Sequence, residues 1–99
     1  MRKKTMIIQE ISKKSEYLIE FVVNNKAYII SINELKRACK DVEIWQQCGG
    51  TYFTIKLLEL IGKADEHNKE RILQGFPEVM CAYLIWYWNL PFKKELFEG

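Results

Sequence analysis

Apolar and polar positions change their period once along this chain, from two to about three and a half. Tyr17-Leu-Ile-Glu-Phe-Val-Val23 and Ala27-Tyr-Ile-Ile-Ser-Ile32 are rich in β-branched and aromatic residues and predict two strands. Asn24-Asn25 lies between them, and Asn tolerates the positive φ that a tight hairpin demands. A turn at those two residues sets Phe21 opposite Tyr28, Ile19 opposite Ile30 and Tyr17 opposite Ile32. One face is then wholly apolar, as a sheet packed on helices requires. The other carries Glu20 and Ser31 but also Leu18, Val22 and Ile29, so it is not cleanly polar. An earlier strand, Thr5 to Ile11, joins through Ser12-Lys13-Lys14-Ser15 to give a three-stranded meander, which a lone hairpin needs for stability.

The switch to helix is marked by Ser31-Ile-Asn-Glu34, the S-x-x-E spacing of a capping box, with Ile30 and Leu35 placed as a hydrophobic staple. Asn33 is the alternative cap, two residues later. Leu35, Ala38, Cys39 and Val42 then recur at helical spacing. Gly49-Gly50 breaks the segment, because each glycine costs a helix roughly 1 kcal/mol against Ala. A second helix runs from Thr51 or Tyr52 to Ala64, with Phe53, Leu57, Leu60, Ile61 and Ala64 as its face, widened by Ile55 and Leu58. Asp65 caps a short helix, Glu66 to Gln74, that stops at Gly75. Pro77 suits the first turn of a last helix, with Glu78 favourable near its N-terminal dipole. That helix runs to about Asn89, and Pro91 ends it. The fold class is therefore α+β: a short antiparallel β-meander of two to three strands followed by three to four packed helices.

The last helix has no polar side. Val79-Met-Cys-Ala-Tyr-Leu-Ile-Trp-Tyr-Trp88 is ten apolar residues, where a helix in a two-layer domain buries a stripe and shows the rest to water. Two readings compete: a central core helix wrapped by everything else, or a surface that meets a partner. Seven of the 13 aromatic residues fall between Phe76 and Phe97, and Trp and Tyr dominate interface hot spots. The expectation carried forward is that this helix holds more apolar circumference than the body can hide. Its interface residues are then Tyr83, Trp86, Tyr87, Trp88, Phe92 and Phe97.

Composition narrows the classes. Ninety-nine residues, 48% apolar and 28% charged, make one globular domain over residues 1–99, with residues 1–4 a flexible basic N-terminus. The longest uncharged apolar run is half of what a bilayer span needs. Met6-Ile7-Ile8 is too short for the apolar part of a signal peptide. Three cysteines at scattered spacing, Cys39, Cys48 and Cys81, argue against a disulfide framework and for a reducing, cytoplasmic setting. One histidine, His67, cannot complete a zinc site with thiols so spaced. Cys48 beside Gly49-Gly50 reads as a small thiol rather than a nucleophile with His67 as base. Asp65-Glu66-His67 point about 100° apart on a helix and do not converge on an ion. Gly49-Gly50 lacks the following Lys-Ser/Thr of a phosphate loop. No catalytic, metal or cofactor residues are assigned, and a non-enzymatic protein is expected.

Charge is uneven. Residues 1–40 hold nine basic and four acidic side chains, and residues 41–99 hold six and nine. Lys13, Lys14, Lys26, Lys36, Arg37 and Lys40 make a nucleic-acid-binding module the alternative function, through basic strand tips backed by a helix. The competing reading is a set of charged edges that block strand pairing.

Gly62-Lys-Ala-Asp65 through Asn68, Leu73-x-Gly75-Phe-Pro-Glu78, Ala82-Tyr83 and Trp86 resemble the tail of small uncharacterised proteins of phages and other mobile elements. The resemblance covers about a third of the chain and brings no catalytic residues. It implies a setting in which small proteins act by stoichiometric binding to a host or phage protein, including anti-defence inhibitors of the anti-CRISPR kind. The expected function is thus a protein-interaction module, with a protein partner or a second copy of the chain, and no membrane.

The nucleic-acid alternative makes its own demand. Affinity for duplex DNA must fall steeply as salt rises and must weaken on loss of Lys13, Lys14 and Lys26. A gel-shift or anisotropy titration at low salt that shows no binding ends it.

Overall fold

The computed structural model describes residues 8–98. Three strands, β1 (Ile8–Lys13), β2 (Leu18–Val23) and β3 (Lys26–Ser31), form an antiparallel sheet in sequence order. Five helices follow: α1 (Ile32–Gln47), α2 (Phe53–Lys63), α3 (Glu66–Gly75), α4 (Pro77–Trp88) and α5 (Lys93–Glu98). The chain is α+β, as its pattern predicts, with α5 added beyond Pro91. The expected basic tail at residues 1–4 and the strand start at Thr5 lie outside the described residues.

Local chemistry sets the joints. Asn24 and Asn25 both adopt positive φ, 52° and 68°, the conformation of a tight two-residue hairpin turn. The register follows: Phe21 pairs with Tyr28 and Ile19 with Ile30. The expected Tyr17–Ile32 pair does not continue the ladder, because Ile32 already opens α1; its N–H still donates to the Tyr17 carbonyl at 2.8 Å. β1 runs to Lys13, two residues past the expected end. The β1–β2 register shifts between Ile8 and Glu10, and the bulge frees Gln9. Its side-chain oxygen accepts from the Asn25 N–H at 2.6 Å, and its amide donates to the Asn25 side chain at 2.9 Å. Ser31, not Asn33, caps α1, accepting from the Glu34 N–H. At the far end of α1 the Cys48 and Gly49 N–H groups both close on the Ile44 carbonyl, and Gly49 takes φ 70°, where a side chain is strained.

One face of the sheet, Ile19, Phe21, Val23 and Ile30, is sealed against the helices. α1 and α4 both lie on β3, and α4 also contacts α1, α2 and α3. It is the central helix. Val79 through Ile85 are all buried, seven consecutive residues spanning nearly two turns. The expectation that a body of this size cannot enclose α4 is therefore corrected over most of its length. Neighbours stand on every side of those turns, so an all-apolar circumference is what the position requires. A second correction concerns α2. Ile55, Leu57, Leu58 and Ile61 face inward, whereas Phe53 and Leu60 are exposed, so the buried stripe is rotated from the one expected.

The burial predicts a sharp energetic step along α4. Ile85→Ala, at a fully enclosed site, should cost about 2–5 kcal/mol in chemical denaturation, for lost transfer energy plus a cavity. A loss under about 1 kcal/mol would contradict the enclosure.

Candidate functional site: the aromatic end of α4

The last turn of α4 leaves the core. Trp86 is half-buried, and Tyr87 and Trp88 are 58% and 60% exposed. These rings rest on one another. Trp45, near the end of α1, lies 5.7 Å from Trp86 and 6.2 Å from Tyr83, centroid to centroid. Tyr87 stacks on Tyr83 at 5.7 Å with planes 9° apart, and Trp88 meets Tyr87 edge-on at 5.2 Å. Such offset and edge-to-face pairs hold rings in place beyond their area burial.

The helix end beneath the rings is pinned. Asn89 adopts the left-handed conformation, φ 55° and ψ 51°, and the Leu90 N–H closes on the Ile85 carbonyl at 3.1 Å. Lys93 donates from Nζ to the Trp86 carbonyl at 3.2 Å, placing a cation at the negative end of the helix dipole.

The six aromatic residues expected at an interface thus divide. Tyr87 and Trp88 are on the surface, and Trp86 is their support. Tyr83 is corrected to the core at 8% exposure; burial, then Tyr87, raises its phenol pKa. Phe92 and Phe97 are half-buried: both pack against the core, and both line surface clefts, Phe92 with Ile19 and Ile32 and Phe97 with Lys36 and Lys40. Sequence reasoning missed Trp45, whose companion role depends on α1 and α4 running side by side.

The basic residues of the alternative reading fall in groups: Lys36, Arg37 and Lys40 line one cleft on α1, Lys36 also shares a cleft with Lys13, and Lys26 stands apart at the hairpin. Lys13 and Lys14 sit at one end of β2 and Lys26 at the other, about 14 Å apart along the strand. Lys14 pairs with Glu20 at 3.2 Å and Lys13 with Glu95 at 3.9 Å. Lys36 and Lys40 are exposed on α1 beside Glu43, and Arg37 borders a cleft with Glu34, Asp41 and Glu78. Carboxylates stand beside Lys13, Lys14, Lys36, Arg37 and Lys40. In that cleft burial raises the Asp41 carboxyl pKa, partly offset by Arg37.

Among the described residues no three His, Cys, Asp or Glu side chains are grouped to hold a metal ion, and no helix is long and apolar enough to cross a membrane. Asp65 is occupied as the cap of α3, accepting from the Asn68 N–H at 2.9 Å, and Glu66 pairs with Lys69. Cys48 is exposed at the end of α1 and His67 is exposed on α3. Compared with known proteins, the chain matches no family model, no curated protein and no solved structure.

The buried thiols give a pH signature. Burial pushes Cys39 up from 9.0 to about 12, with Glu43 adding to it. Cys81 moves the same way through burial, then Glu78 and Cys39. A raised folded-state pKa means that its stabilisation is complete below pH 9.0 and is lost as pH climbs toward about 12. Denaturation midpoints should fall across that window, and Cys39→Ala/Cys81→Ala should flatten the fall. In a thiol-reagent assay Cys48 should react at once and the other two only on unfolding; three fast thiols would refute the burial.

Proposed function

We propose that this protein acts by binding another protein, without chemistry of its own, and that the Tyr87–Trp88 end of α4 is the binding surface. The observation that carries the reading is two large aromatic rings left more than half exposed on a base of stacked rings and a capped helix end. Aromatic anchors held in advance lose little side-chain freedom on binding, which is why they dominate interface energetics. The division of α4 supports this reading in a narrower form than the sequence suggests: the contact surface is one turn, not a whole helix. The finer reading, stoichiometric inhibition of a host or defence protein, rests on the tail resemblance alone.

Stability and binding should separate at this site. Trp88→Ala and Tyr87→Ala should leave the thermal midpoint close to that of the parent, since neither ring fills the core. Each should weaken association with a partner purified through this protein by about 2 kcal/mol or more, read by calorimetry. A core-like stability loss of about 3–5 kcal/mol with unchanged association would overturn the assignment.

A further inference from the structure

A second surface, at the opposite end of α4, carries a different chemistry. α2 and α3 are joined by only Ala64 and Asp65, yet α3 packs on α4 and α2 on α1 and α4 rather than along each other. The two helices leave a trough of about 610 Å³ between them, with Leu60 and Ala64 on one wall and Ile72 and Phe76 on the other. Phe76 in its lining also meets Phe53, outside the trough, with ring centroids 5.4 Å apart. Phe53 and Leu60, 65% and 55% exposed, stand seven residues apart on α2, two turns or about 10 Å. Leu60 and Ala64, like Ile72 and Phe76, stand four residues apart, so both walls present apolar rungs at the pitch of a helix.

The charged lining of the trough is two cations and one carboxylate, a net positive balance. Lys63 and Arg71 line it, and among the described residues neither has a carboxylate in ion-pair distance. The neighbouring Lys56 and Lys69 do, with Glu59 at 3.7 Å and Glu66 at 3.6 Å. The acid in the trough, Asp65, is held by the Asn68 N–H as the cap of α3. Two unpaired cations therefore face an apolar channel from opposite walls.

We infer that this trough receives an amphipathic α-helix of a partner protein, its apolar side chains on Leu60, Ile72 and Phe76 and its carboxylates at Lys63 and Arg71. An open channel whose walls leave Leu60 55% and Phe76 37% exposed, with Ile72 half-buried, suits an occupant that brings its own apolar face. A small ligand is normally 70–90% enclosed by its pocket. A second copy of this chain is disfavoured by charge: its exposed apolar turn, Tyr87–Trp88, is followed by Lys93 and Lys94, like in sign to Lys63 and Arg71. The site is independent of the Tyr87–Trp88 surface, since Phe76 and Tyr87 are 11 residues or about 16 Å apart along α4. Either assignment stands or falls without the other.

The probe is a pair of synthetic helical peptides of about 15 residues with identical leucine faces, one ending in glutamates and the other in lysines. Amide chemical shifts of the unmodified protein, followed by NMR, should move at Leu60, Lys63, Ile72 and Phe76 on adding the glutamate peptide. That peptide should bind about tenfold more tightly than the lysine peptide at low salt. Lys63→Glu/Arg71→Glu should reverse the order, and Leu60→Asp should weaken both peptides. Circular dichroism of each variant checks that it is folded, and the two-peptide comparison on the unmodified protein stands without any variant. Equal affinities, binding by neither peptide, or shifts centred on Tyr87 and Trp88 overturn the inference. So does displacement of the glutamate peptide by dodecanoate below its own binding range, which would make the trough a site for small amphiphiles.

Discussion

Enclosure of α4 is the constraint on which the molecule is built. Seven consecutive apolar residues, Val79 through Ile85, exclude water only if neighbours stand on every side. β3, α1, α2 and α3 provide those sides. Each is shaped to do so: β3 through Ile30, α1 through Leu35, Ala38, Cys39 and Val42, α2 through Leu57, Leu58 and Ile61, α3 through Leu73. No buried polar or charged residue interrupts this core among the described residues. Hydrophobic burial, which has no direction of its own, therefore sets where the helices go, while the caps and turns set where they start and stop.

Those starts and stops were legible because they are local. Asn24-Asn25, Ser31, Asp65 and Pro77 each act within a few residues of themselves, through a positive φ, a side-chain cap or a fixed dihedral. The hairpin register follows from one of them. What the sequence does not carry is phase. A periodic stripe tells which way a helix faces only when some positions are polar, and residues 79–88 have none. In α2 the apolar positions are so dense that two rotations satisfy them, and the structure takes the one that leaves Phe53 and Leu60 outside. Aromatic rings near the C-terminus look alike in sequence. Phe92 and Phe97 became anchors because α5 folds back onto α1, a contact set by tertiary packing alone. The trough had no signal for the same reason: it exists because α2 and α3 each pack on something else.

The sheet meets the same shortage of neighbours. α1 and α4 pack on β3, and on the other face Leu18 and Ile29 are exposed among Glu20 and Ser31. The Lys14–Glu20 ion pair crosses this outer face, and Lys13 and Lys26 mark the strand ends. Charges so placed discourage edge pairing with other strands. Among the described residues, Lys13, Lys14 and Lys26 thus have a structural account in their positions at strand tips, while Lys36, Arg37 and Lys40 share one cleft on α1 with Glu43.

The two apolar surfaces share a cause. A helix buried on all sides must emerge somewhere, and α4 emerges where its cover ends. Trp45 stands two residues before the end of α1, which Cys48 and Gly49 close, while α4 runs on past Trp86 to the more exposed Tyr87 and Trp88. Over Ile85 to Trp88, a rise of about 4.5 Å, the environment passes from fully enclosed to more than half exposed. At the other end the same economy of neighbours holds α2 and α3 against α4 and so keeps them from closing on each other. Polar substitutions at Tyr87, Trp88, Phe53 and Leu60 would relieve the exposure without touching the core. Tyr17, Ile29 and Tyr52 are exposed as well, but these four lie in pairs at the two ends of the helical layer, and clustered apolar exposure belongs where a protein meets something else.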